Sequence, residues 1–274
     1  MDNRPIGFFD SGLGGLTCIT PLMRALPEEK IIYFGDTART PYGSKATSTI
    51  KNFSMEIADF LVSSGVKMIV IACNTVSSTC AAELQNRFPD IPILGIIEPA
   101  AREVAEKCSA GSNVGVIGTK VTIGSHAYAD SIDKYNDKIN IYETSCPAFV
   151  PLIEEGIIEN DIMDLTIKYY MDEFVSKNSL DTVVLGCTHY PMIKKNIERI
   201  YPKLHIINPS SVIVKNIEQV LEEKNMFAEC SDFDNVFYAS DLSENFINMI
   251  DSIFGNESED AKVKFLNFDL ENGE

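Results

Sequence analysis

Runs of β-branched and aromatic residues recur along the whole chain, separated by stretches in which apolar positions repeat with a helical period. The apolar runs predict strands over 5–10, 30–36, 66–73, 91–97, 113–118, 139–144, 181–187, 203–208 and 235–239. The clearest helices are predicted over 48–64 and 159–177; in the first, Ile50, Phe53, Ile57, Phe60 and Leu61 share one face. Strand and helix alternate from end to end, which implies an α/β architecture with mainly parallel sheets covered by helices. Pro191 suits the first turn of a helix. Near the C-terminus, 263–268 reads as a short edge strand within an otherwise acidic tail after Gly255.

Two strand runs end in the same way. Lys67-Met-Ile-Val-Ile-Ala leads to Cys73, Asn74 and Thr75; Asp181-Thr-Val-Val-Leu-Gly leads to Cys187, Thr188 and His189. Each pattern is a buried parallel strand that delivers a thiol to its carboxyl end, where open α/β sheets place their ligands. Helices are expected to start there, and their N-terminal partial charge favours thiolate. His189 is a candidate proton partner. A cysteine in a buried strand is ordinarily a small apolar residue, and that reading serves Cys18, Cys80, Cys108, Cys146 and Cys230. For Cys73 and Cys187 both readings stay open.

The chain also repeats itself faintly. Ile6-Gly-Phe-Phe-Asp-Ser-Gly-Leu-Gly-Gly resembles Val114-Gly-Val-Ile-Gly-Thr-Lys-Val-Thr-Ile-Gly, and the two cysteine strands match at nearly the same offset. A duplicated half follows. With 274 residues, the chain fits two domains, expected as 1–97 joined by a returning 210–274, and 98–209.

A net charge of −17 argues against nucleic acid and against an anionic membrane surface as partners. No apolar run approaches the ~20 residues of a membrane span, and the N-terminal segment has no secretory pattern, so a cytoplasmic location is expected. Seven cysteines without CxxC spacing indicate neither a disulfide framework nor a zinc ribbon. In a reducing compartment they remain thiols. The three histidines lack metal spacing, so no metal ligand is assigned; His126 and His205 read as structural or solvated.

Asp10-Ser-Gly-Leu-Gly-Gly follows the first strand but lacks GxGxxG spacing and a Lys-Ser/Thr pair, so it supports nucleotide binding weakly. It serves equally as a tight turn whose N–H groups and Ser11 hold a carboxylate. Asp10 is either an N-cap or a group that receives an ammonium or orients a thiol. Pro41-Tyr-Gly-Ser is an ordinary turn or an anion-binding lid.

Taken in order, Phe9-Asp-Ser-Gly-Leu-Gly-Gly, Asp36 to Tyr42-Gly-Ser, Ala72-Cys-Asn-Thr, Cys146-Pro-x-Phe-Val-Pro-Leu-Ile-Glu154 and Leu185-Gly-Cys-Thr-His-Tyr-Pro resemble the glutamate racemases of the cofactor-independent aspartate/glutamate racemase superfamily. The resemblance covers essentially the whole chain. It implies two similar open parallel-sheet domains related by pseudo-two-fold symmetry, with the active site in the cleft between them. It also implies interconversion of L- and D-glutamate without a cofactor, supplying D-glutamate for peptidoglycan, commonly by a homodimer. Cys73 and Cys187 would be the two bases, the first acting on D-glutamate and the second on L-glutamate. Asp10 would assist Cys73, and Glu154 and His189 would assist Cys187. Asp10, Ser11, Tyr42, Gly43, Ser44, Asn74, Thr75, Thr119, Thr188 and His189 would hold the substrate. The sequence departs from the pattern at Tyr238-Ala-Ser-Asp, where the family often has Thr-Gly-Asp. That position is expected to lie remote from the bases and to affect packing alone.

Three rivals remain. A related racemase would prefer another acid, such as aspartate or a hydantoin. A hydrolase would use Cys187 with His189, although residues two apart on a strand point to opposite faces. A non-catalytic amino-acid-binding protein would need neither thiol.

Overall fold

Each predicted strand forms in the computed structural model, which describes residues 1–229, 234–242 and 261–266 together with 244, 247, 248 and 250. The strands are β1 (Ile6–Asp10), β2 (Ile31–Gly35), β3 (Met68–Ile71), β4 (Ile93–Gly95), β5 (Asn113–Gly118), β6 (Asn140–Ser145), β7 (Thr182–Gly186), β8 (His205–Ile207) and β9 (Asn235–Ala239), with β10 (Ala261–Phe265) starting two residues before the expected run. Helices α1 (Leu16–Ala25), α2 (Thr47–Ser63), α3 (Asn74–Arg87), α4 (Ile97–Lys107), α5 (Lys120–Gly124), α6 (Ala127–Tyr135), α7 (Phe149–Glu154), α8 (Asp161–Asn178), α9 (Lys194–Ile200) and α10 (Pro209–Glu223) connect them. The two clearest helical patterns correspond to α2 and α8. Asn160 starts α8 because its side chain accepts the free N–H groups of Ile162 and Met163. Asn208 caps α10 in the same manner, with Pro209 in its first turn.

The strands make two sheets, in the orders β10-β9-β2-β1-β3-β4 and β6-β5-β7-β8. Every pairing is parallel. The second sheet repeats the β2-β1-β3-β4 core of the first, with β5 in the place of β1 and β7 in that of β3. The helices follow suit. Residues of α1 and α4, and of their counterparts α6 and α10, share one apolar core with inward residues of both sheets, among them Ile6, Val70, Val116 and Val184. The far face of the first sheet packs on α2 and α3, and that of the second on α7, α8 and α9. The faint sequence repeat is therefore a repeat of topology, and it places Cys73 and Cys187 after equivalent central strands.

After α10 the chain pairs β9 with β2. At the amino end of β3, fully buried Lys67 forms an ion pair with Glu29 at 2.6 Å. Its ammonium also donates to the carbonyls of Asp2 at 2.7 Å and Met226 at 2.8 Å. Glu29 Oε1 accepts the Ala228 N–H at 2.9 Å. Among the described residues, no helix is long and apolar enough to cross a membrane. Cys18, Cys80, Cys108 and Cys146 are buried, as expected of small apolar residues; Cys230 lies outside the described residues. His126 pairs with Glu143 at the surface.

Candidate active site

β1 ends in Asp10 and β3 delivers Cys73, while the equivalent ends of the second sheet deliver Thr119 and Cys187. These strand ends meet. Asp10 is fully buried; its Oδ2 accepts the Gly12 N–H at 3.0 Å and its Oδ1 accepts the Thr188 hydroxyl at 3.2 Å, from the other sheet. Desolvation raises its carboxyl pKa above the usual range, against the lowering effect of His189 and of these hydrogen bonds. Asp10 is thus not a helix cap; Gly15 takes that position for α1.

Cys73 is 4% exposed and caps α3, as the sequence predicts. Its Sγ donates to Ser11 Oγ at 3.6 Å. The expected lowering of the thiol pKa is not found. Burial pushes it far up and the charge of Asp10 adds to that, outweighing the N–H of Val76 and the hydrogen bonds from Ser11. At rest Cys73 is a thiol.

Cys187 is set differently. No α-helix begins directly after it; a 3-10 turn (Tyr190–Ile193), with Pro191 in its first turn, leads into α9. Because β7 already ends at Gly186, the chain turns and brings His189 Nδ1 to 3.9 Å from Cys187 Sγ. The objection that residues two apart point away from each other therefore fails here. His189 Nε2 lies 3.1 Å from Glu154 Oε1. Burial alone would discharge the ring, but the contacts with Cys187 and Glu154 outweigh it and raise its pKa to about 10. A ring so raised carries its positive charge beside the Cys187 sulfur.

The remaining predicted residues divide into two groups. Thr75 and Thr119, from different sheets, join hydroxyls at 3.0 Å, and Thr119 caps α5. Asn74 is buried, its Oδ1 accepting the Tyr128 hydroxyl at 2.6 Å while its Nδ2 has no hydrogen-bond partner among the described residues. Gly43 lies so near Thr119 that a Cβ would come within 2.5 Å of it. Ser44 is exposed beside it; Gly43, Ser44, Thr119, Cys146 and Tyr190 line a mainly apolar cavity of about 180 Å³. Tyr42 and Thr188 are exceptions among the predicted donors, for the buried Tyr42 hydroxyl is committed to Asp36 and the Thr188 hydroxyl to Asp10.

Three contributors were given no site role by the sequence. Thr122 completes the hydroxyl cluster, 3.0 Å from Thr119 and 3.3 Å from Thr75; the Thr-x-x-Thr spacing at a helix start was the available signal. Asp36, at a strand end like Asp10, gathers Tyr42, the Arg39 guanidinium at 2.8 Å and the Ser240 hydroxyl at 2.7 Å. Ser240 thereby lies one residue away from Tyr42 through Asp36. Tyr128 carried no local signal, since its ring reads as helix core.

Gly14 is required by close approach. A Cβ there would sit 2.4 Å from Thr188 Oγ1 and 2.6 Å from His189 Nδ1. Gly14→Ala should displace both and lower turnover about 100-fold, measured as kcat on a folded variant; an unchanged kcat would mean that the Thr188–His189 placement is not needed.

The Asp/Glu/Hydantoin racemase family model matches residues 16–217. The glutamate racemase of Persephonella marina is 43% identical over 252 residues, 92% of this chain and 94% of that protein. That of Geobacter metallireducens is 40% identical over 263 residues, 95% and 96% of the two chains. The crystal structure of the Francisella tularensis glutamate racemase in complex with D-glutamate superposes with a TM-score of 0.90 at 37% identity, covering 98% of this chain and all of that one. Such extended similarity, joined to the repeated sheets and their paired cysteines, makes the chain a member of the Asp/Glu/Hydantoin racemase family.

Proposed function

We propose that the protein is a glutamate racemase in which one cysteine takes the α-proton and the other delivers a proton to the opposite face, without a cofactor. The observation that carries this reading is the pair of buried thiols after equivalent strands of two repeated sheets whose ends are joined by the Thr188–Asp10 hydrogen bond. A single base returning its own proton tends to retain configuration; inversion needs a base on each face of the α-carbon. One cysteine must be thiolate while the other is thiol. His189 supplies a cation beside Cys187, and burial keeps Cys73 protonated. From L-glutamate, the Cys187 thiolate takes the α-proton, and the Cys73 thiol donates its own to the opposite face. The reverse direction starts from a Cys73 thiolate.

A carbanionic α-carbon needs fixed donors in a water-poor site. Ser11, Thr75, Thr119, the Asn74 amide and the Gly43–Ser44 backbone would serve the substrate's carboxylates and Asp10 its ammonium, with the Thr188 hydroxyl holding Asp10. Tyr42 contributes through its position rather than its hydroxyl. Around this site we infer two domains, 1–97 with 210–274 and 98–209, in a cytoplasmic protein that acts as a homodimer and supplies D-glutamate for peptidoglycan; similarity to the glutamate racemases supports these points.

Incubation of either enantiomer with the reduced protein in D₂O, without pyridoxal phosphate, should racemise it and place deuterium at the α-carbon. No exchange would rule the reading out. The Cys187–His189–Glu154 chain is also what a nucleophilic cysteine hydrolase would use. An acyl-enzyme burst without α-exchange would favour that alternative, and binding of glutamate without either would favour an amino-acid-binding protein.

A further inference from the structure

We propose that Tyr128 is a positioning residue for this reaction, fixing the donor face of Asn74 while bracing the strand end that carries Cys187. The inference rests on the racemase reading above. Tyr128 lies on α6, fully buried, away from every motif in which the cysteines sit. Its ring edge fits beneath Gly186, where a Cβ would come 3.3 Å from Tyr128 Cε2; Gly186 immediately precedes Cys187. Its hydroxyl donates to Asn74 Oδ1 at 2.6 Å, and Asn74 immediately follows Cys73. One side chain thus touches the neighbours of both proposed bases.

The hydrogen bond also decides which way the amide faces. The amide oxygen only accepts and the amide nitrogen only donates. A buried phenol gives up its proton more readily than it accepts one, so Oδ1 is the atom turned towards Tyr128. Reversal would leave the buried phenolic proton without an acceptor. The Nδ2 lobe is left pointing elsewhere, in a residue only 2% exposed, and finds no partner among the described residues. Buried polar groups are normally paired. An unpaired amide donor between Cys73 and Thr75 matches the need of a substrate carboxylate, which is acceptor-only. Without the Tyr128 hydroxyl the amide is free to turn its oxygen towards that carboxylate, which would repel it.

Tyr128→Phe keeps the ring and removes the hydroxyl. It should raise KM for both L- and D-glutamate about 5–10-fold, the scale of one neutral hydrogen bond, with kcat changed much less. In an Asn74→Ala background the same change should add less than about twofold, because the two residues act as one unit. Tyr128→Leu, which also removes the ring from beneath Gly186, should lower kcat as well. An unchanged KM in Tyr128→Phe, or effects of Tyr128→Phe and Asn74→Ala that simply multiply, would overturn the proposal provided the parent protein racemises glutamate. Failure of the parent to exchange the α-proton would instead overturn the racemase reading. Should Tyr128→Phe not fold, Asn74→Ala alone decides: it must show the same rise in KM, and a KM equal to the parent's would overturn the proposal.

Discussion

Cys73→Ala and Cys187→Ala should each abolish racemisation, with turnover falling about 10³–10⁴-fold, the contribution of one well-placed acid or base. The two losses are expected to differ in kind. With Cys187 gone, Cys73 can still remove a proton from D-glutamate and return one from solvent to the same face. Deuterium should then enter D-glutamate slowly without inversion. With Cys73 gone, the same should hold for L-glutamate, and faster, because His189 remains as the cation beside Cys187. Loss of the α-proton signal by NMR, read beside chiral chromatography, separates exchange from inversion. A variant that racemises within tenfold of the parent would exclude the two-base assignment. Equal exchange of both enantiomers in either variant would exclude the assignment of one face to each thiol.

Much of this site was legible because strands buried on both faces write themselves as continuous apolar runs, and the residues that end such runs stand out. Asp10, Cys73 and Cys187 stand out as punctuation at strand ends, while Thr119 entered through the family resemblance. The repeat was legible for the same reason, since β1 and β5 share both their apolar content and the turn that follows. The protonation states were not. A helix start after Cys73 suggested a lowered thiol pKa, but total burial and the neighbouring Asp10 reverse it, and burial of one residue depends on everything folded around it. His189 was named as a partner of Cys187 although strand geometry argued against contact; only the early end of β7 resolves the conflict. Tyr42 looked like a donor because it sits in a loop of polar residues, yet Asp36 takes its hydroxyl. Tyr128 and Ser240 act across 54 and 204 positions of sequence. Contacts over such separations leave no local pattern to read.

Lys67→Ala should lower the stability of the protein by about 3–5 kcal/mol, the usual cost of leaving one partner of a buried ion pair uncompensated. Lys67 and Glu29 are 0% and 2% exposed at their side chains, so solvent does little to screen the charge left behind. The lysine does more than balance Glu29, because its ammonium also holds the carbonyls of Asp2 and Met226. Its removal therefore orphans acceptors from the N-terminal segment and from the chain that follows α10, at the foot of the strand whose other end leads to Cys73. In a thermal melt the midpoint should fall by on the order of 10 °C. Replacing both partners, Lys67→Met with Glu29→Leu, should recover only the part of the loss due to the buried charge, because the Asp2 and Met226 carbonyls and the Ala228 N–H remain unpaired. At temperatures where the single variant stays folded, glutamate turnover should remain near that of the parent, since the ion pair and the thiol occupy opposite ends of β3. A single variant within about 1 kcal/mol of the parent would show that water reaches Glu29 on opening. A folded variant with turnover lost would show instead that strain at the foot of β3 is transmitted to Cys73.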